Sequence, residues 1–156
     1  MGGVERKCAV KEGEKMKDIH VLSLGAGTQS SCMALMAAHG DLPRPDYIIF
    51  SDTGWEPKHV YDWLDKLKKE LAKYDLEVIT VSNGNIYEDT LRAIETGERA
   101  PSMPFYTKNR ETGKKGIVMR QCTGDYKIKP INQKVRELLG YKKGQQVKEL
   151  VHMWKG

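Results

Sequence analysis

The 156-residue chain has no apolar run near the roughly 18–20 residues that a membrane-crossing helix needs. Cysteine is scarce and odd in number. Cys8, Cys32 and Cys122 lie far apart, which argues against a disulfide framework and suits a reducing cytoplasm. Three thiols are too few for a four-cysteine cluster within one chain, so no iron–sulfur cluster is expected. The four histidines show no metal spacing, and no metal ligands are assigned; His20 and His39 fall at predicted element ends and read as structural. Residues 1–17 lack an apolar core for a secretory signal and read as a loose basic arm, leaving one domain over 18–156. Charged residues make up 30% of the chain and the net charge is +5, which favours anionic partners.

Strand and helix signals alternate. Residues 20–24 (HVLSL) predict a short buried strand, and 30–39 a helix apolar on almost every side, with Cys32 in the core and Gly40 as its stop. Residues 47–50 (YIIF) predict a strand covered on both faces. Proline at 57 opens a helix whose stripe is Val60, Leu64, Leu67 and Leu71. Residues 77–81 predict a third strand, 87–95 a helix closed by Gly97, and 130–139 another helix. Residues 99–120 show no period and read as a long loop. Residues 147–154 fit a strand or a helix. The alternation predicts an α/β fold: a parallel, twisted, Rossmann-like sheet with helices on both faces.

The turn Ser23-Leu-Gly25-Ala26-Gly27-Thr28-Gln29-Ser30-Ser31 joins a predicted strand to a predicted helix. Glycines there let the backbone approach a ligand, and the helix's first amides lack internal partners. With the helix dipole they form an anion site, to which Thr28, Ser30 and Ser31 add hydroxyls. A Walker loop is excluded, since no lysine lies in the turn. A dinucleotide fingerprint is met at two of three glycines, with Asp52 available to a ribose, which keeps an NAD(P)-binding Rossmann enzyme as one alternative.

The same turn resembles the S-G-G-x-D-S pyrophosphate loop of the adenine nucleotide α-hydrolase superfamily, with Ala26 in place of a glycine and Gln29 in place of the acid. This Gly-Ala-Gly-x-Gln-Ser form is similar to that of phage and other mobile-element members. Phe50-Ser51-Asp52-Thr53-Gly54-Trp55-Glu56-Pro57 resembles the D-T-G segment of phosphoadenosine phosphosulfate (PAPS) reductases. Arg120-Gln-Cys122 through Lys127-Ile-Lys129-Pro130-Ile131 resembles that family's cysteine segment, with Thr123 where iron–sulfur members carry a second cysteine.

The resemblance spans about residues 20–131 and implies an adenine nucleotide, ATP or PAPS, as substrate or ligand, with Mg²⁺ available to shield charge. It implies recognition of adenine by backbone groups near Phe50 and Ser51, and of sulfate or phosphate by Arg120, Lys127 and Lys129. Cys122 is the candidate catalytic thiol if its basic neighbours lower its pKa. The family's C-terminal E-C-G-like segment has no counterpart here, which leaves it missing, cut away from this chain, or supplied by a second chain, and a reductase would also use a thioredoxin-like protein as reductant. Two functions follow: a PAPS reductase or nucleotide-dependent sulfur or adenylyl transferase, or a non-catalytic module that holds a nucleotide. A homo-oligomer is left open. The basic arm and residues 108–120 offer cations to a nucleic-acid backbone, although nothing in them reads bases.

Overall fold

A computed structural model describes residues 18–98, 106–117 and 123–155. The predicted basic arm lies outside them. Four parallel strands form the central sheet: β1 (Asp18–Leu24), β2 (Tyr47–Asp52), β3 (Val78–Ser82) and β6 (Leu150–Lys155), in the order β3-β2-β1-β6. The open choice at residues 147–154 is thereby settled as a strand. Helices α1 (Thr28–His39) and α2 (Lys58–Ala72) carry the chain from β1 to β2 and from β2 to β3.

Side-chain alternation along each strand divides the core into two layers. Leu22, Leu24, Ile48 and Phe50 point to one face, where Ala34 of α1 and Leu64, Leu67 and Leu71 of α2 cover them. Ile19, Val21 and Ile49 point to the other, against Ile131 and Val135 of α4 (Lys129–Leu138). Each fully buried aliphatic side chain contributes about 1.5–3 kcal/mol relative to exposure. The helix placement follows from handedness. The chain steps one way across the sheet from β1 to β3, then returns past β1 to β6. A crossover of constant right hand must then change faces, and α4 lies opposite α1 and α2.

Two expectations are corrected. The helix at 30–39 is not buried on every side: Ser30, Ser31, Ala34 and Ala37 are buried, whereas Cys32 is exposed and Met36 is 37% exposed. An unbroken apolar run does not say which stripe meets the sheet. Here the small residues make the close approach, Met33 packs at the edge of the core, and Cys32 and Met36 are left outside. Residues 99–120 are not all loop. β4 (Tyr106–Lys108) and β5 (Lys115–Ile117) form an antiparallel hairpin. Three-residue strands are too short to show a period of two. The rest of the sequence pattern holds closely, with α3 (Ile86–Thr96) ending at Gly97. No helix among the described residues is long and apolar enough to cross a membrane.

Candidate functional site

The strand order reverses at β1, whose neighbours β2 and β6 are reached by connections on opposite faces. Crevices outside the carboxyl ends of parallel strands at such a reversal are where open α/β sheets bind ligands. Strand register aligns what emerges there. Leu24 pairs with Phe50 and Asp52 with Ser82, so the segments after β1, β2 and β3 leave the sheet side by side. Pairing of β2 with β1 stops at Phe50 while pairing with β3 continues to Asp52. Ser51 and Asp52 thus extend beyond the end of β1. Ser23 lies within β1, between Ile49 and Lys155.

The bend after β1 is held from within. Ser30 Oγ accepts the Gly25 amide at 3.1 Å and donates to the Gly27 carbonyl at 3.4 Å. Ser31 is buried, and its Oγ accepts Trp63 Nε1–H at 3.0 Å. Of the three hydroxyls expected to face an anion, two therefore build the loop, and Thr28 is the exposed one. Ala26 takes the left-handed conformation with φ 54°. Its buried methyl packs into the layer containing Leu22, Leu24 and Phe50, which offsets the roughly 1–2 kcal/mol of backbone strain. Gly27 caps α1 with no side-chain hydrogen bond, which leaves the first-turn amides without an internal acceptor. The space beside Gly27 is open, with no atom within 4 Å of where a Cβ would sit. A recess of about 450 Å³ lies over Gly25, Gly27, Thr28, Gln29 and Ser30. A second cavity, about 640 Å³, runs between α1 and α2 and is lined by Gly27, Thr28, Cys32, His59 and Trp63 among others.

The corner after β2 is cross-braced. Asp52 Oδ1 accepts the Gly54 amide at 2.8 Å and the Tyr61 hydroxyl at 2.7 Å. Thr53 Oγ1 donates to Glu56 Oε1 at 3.1 Å, and the Thr53 carbonyl accepts the Ile86 amide at 2.9 Å. Asn85 caps α3 and donates Nδ2–H to the Gly54 carbonyl at 3.1 Å. Burial, opposed in part by the Glu56 amide and reinforced by the Asp52 carboxylate, raises the Tyr61 pKa above its ordinary value.

The basic segment reaches this corner through a π-helical stretch, Thr123–Ile128, leading straight into α4. Ser51, only 4% exposed, donates to the Tyr126 carbonyl at 2.5 Å, and Asn83 Nδ2 donates to the Asp125 carbonyl at 3.0 Å. The buried Tyr126 hydroxyl donates to Asp89 Oδ2 at 2.5 Å, and Arg92 pairs with the same carboxylate. Lys127 is thereby brought to the corner, where its Nζ lies 3.3 Å from Glu56 Oε1. Lys129 is exposed at the start of α4. Arg120 and Cys122 lie outside the described residues. Among the described residues no group of three or more His, Cys, Asp or Glu side chains is arranged to hold a metal ion.

The latch formed by Asn83, Asp89 and Tyr126 went unforeseen, because its bonds join positions 37 and 42 apart, and the segment containing Tyr126 was read for its cysteine and cations rather than for its tyrosine. The Asn85 cap did carry a signal: asparagine before an apolar residue, with Glu88 three positions on. Also unforeseen is the stack of Trp55 on Tyr87, with centroids 4.8 Å apart and exposures of 54% and 43%.

Burial and then the Asp89 carboxylate raise the Tyr126 pKa well above its ordinary value. The folded state therefore disfavours the phenolate. This contribution to stability is complete below the unfolded pKa of about 10 and is lost as pH rises through the folded value. Tyr126→Phe is expected to lower stability by about 1–2 kcal/mol at neutral pH, since Asp89 keeps Arg92. Its stability should also fall less steeply than that of the wild type from about pH 10 upward. Urea unfolding at a series of pH values measures both, and parallel curves would show that the hydroxyl is not the titrating group.

Compared with known proteins, the chain matches no family model, no curated protein and no solved structure at a significant level.

Proposed function

We propose that the crevice at the carboxyl end of β1 and β2 binds an adenine nucleotide in the manner of the PAPS reductase family. The phosphate chain would lie on the uncapped start of α1, and adenine against the backbone of Phe50 and Ser51. The observation that carries this reading is the open, uncapped bend at Gly27, beside the strand reversal and aligned with the Asp52–Gly54 corner. Amides fixed there stabilise negative charge on a bound phosphate and on pyrophosphate as a leaving group. Two substrates suit that arrangement: ATP attacked at its α-phosphate, or PAPS as a sulfur donor. Among the described residues no carboxylate cluster stands at the bend, so Mg²⁺ would be carried chiefly by the nucleotide's own oxygens.

One observation favours a module that holds the nucleotide without turning it over. Lys127, the cation matched to the family lysine, is paired with Glu56, and Gln29 supplies no charge. Titration calorimetry with ATP, PAPS, AMP and NAD side by side tests the reading. ATP and PAPS are expected to bind at least about tenfold more tightly than AMP, because the extra phosphates meet the helix start. Equal affinity for AMP, or preference for NAD, would overturn it. Pyrophosphate release from bound ATP, or sulfite release from PAPS with thioredoxin present, separates turnover from holding.

A further inference from the structure

The net charge of +5 is distributed very unevenly. Between positions 18 and 98 acids outnumber Lys and Arg two to one, whereas from 99 to 155 Lys and Arg outnumber acids more than three to one. Such asymmetry between halves of a chain is a mark of polyanion binding. The β4–β5 hairpin concentrates it. Lys108 and Lys115 are direct cross-strand partners, so two like charges stand on the same face with Cβ atoms about 5 Å apart, a pairing that destabilises a ladder. Arg110 and Lys114 join them in the connecting turn, with Glu111 as the only acid, and residues 108–116 are all exposed. Among the described residues none of these four cations is in an ion pair.

The turn is nevertheless well built. Asn109 Oδ1 accepts the amides of Glu111 and Thr112 at 2.9 and 2.8 Å. The Asn109 amide donates to the Lys114 carbonyl at 2.9 Å, and the Gly113 amide to the Asn109 carbonyl at 3.0 Å. A two-stranded ribbon is marginal by itself, and this one sets its like charges face to face. A closely spaced row of phosphates relieves that repulsion and releases its own counterions on contact.

We propose that the β4–β5 hairpin is a nucleic-acid-binding arm, in which Lys108, Lys115, Arg110 and Lys114 grip the phosphodiester backbone without reading sequence. Among the described residues no hydrogen bond or ion pair joins the hairpin to the loops of the nucleotide crevice, and the two readings are tested by different ligands and different variants. Fluorescence anisotropy of the full chain with labelled single-stranded RNA and DNA of about 20 nucleotides, at salt from about 50 to 200 mM, tests it. The wild type is expected to bind, with affinity falling steeply as salt rises. Lys108→Glu/Lys115→Glu should weaken binding at least about tenfold and flatten the log–log salt slope by about 1.4, two phosphate contacts on a single strand. Lys142→Glu/Lys143→Glu makes the same change in net charge at exposed positions outside the hairpin and should leave affinity within about twofold. Lys108→Glu alone creates an attractive cross-strand pair, so its weaker binding would not come from a lost hairpin. Absence of wild-type binding, equal losses in both double variants, or equally tight binding to polyglutamate or anionic vesicles would overturn the proposal.

Discussion

Gly27→Asp is expected to abolish nucleotide binding while leaving the fold as stable as before, or more so. The two effects have opposite signs for physical reasons. Gly27 has φ −82° and ψ 172°, an extended conformation open to any residue, and a Cβ there meets nothing within 4 Å. Aspartate is among the best N-cap residues. Its carboxylate would accept the first-turn amides that no side chain now satisfies, and by capping and dipole together would stabilise α1 by a few tenths of a kcal/mol to about 1 kcal/mol. The same carboxylate would occupy the acceptor position proposed for a phosphate and repel the nucleotide's charge. Affinity for ATP should fall at least about 100-fold, equivalent to about 2.7 kcal/mol. Calorimetry and a melting curve on one preparation measure both quantities. A stable variant with unchanged affinity would place the phosphate elsewhere, and a destabilised one would contradict the open cap.

Gly54→Ala is expected to have the largest effect on stability, roughly 2–5 kcal/mol, and Gly97→Ala isolates its cause. Both glycines have φ 72°, so both substitutions carry a similar left-handed backbone penalty of about 1–2 kcal/mol. They differ in surroundings. At Gly97 a Cβ has nothing within 4 Å, whereas at Gly54 it would lie 3.0 Å from Asn85 Cα and 3.1 Å from Asn85 Cβ. Asn85 caps α3 and bonds the Gly54 carbonyl, so it has no room to retreat without breaking the cap. Overpacking of that kind adds about 1–3 kcal/mol. Denaturant unfolding of the two variants should therefore separate them by about that amount. Equal losses would mean that the corner yields to a methyl group, and that the brace between β2 and α3 is looser than its contacts imply.

Much of the fold was legible because apolar runs and punctuation marked it. The runs at 20–24 and 47–50, each followed by a glycine-bearing turn, became β1 and β2, and the stripe Val60, Leu64, Leu67 and Leu71 became the inner face of α2. Where the pattern was uniform it was silent. The methyl-rich run of α1 did not disclose that Cys32 would be outside, and the short strands of the hairpin carried no period. The site was legible as two loops, not as their joinery. Glycines and hydroxyls at 25–31 advertised an anion-binding bend, but their composition did not say that Ser30 and Ser31 would be spent on holding it. The same holds for Asp52, whose Oδ1 secures the Gly54 amide and Tyr61. Contacts such as Ser51 to the Tyr126 carbonyl join positions 75 apart, and only three dimensions bring them together.

The methyl of Ala26 ties the outermost bend of the crevice to the same apolar layer that holds α1 and α2 on the sheet. A glycine there would leave the bend free to sample other shapes before a ligand arrives. With alanine the loop is preorganised, and little ordering entropy remains to be lost on association. Affinity at this crevice should then respond to substitutions beneath it. Loosening the packing around Leu22 or Leu24 would blur the aim of the amides and weaken capture at a distance, with no contact to the bound molecule removed.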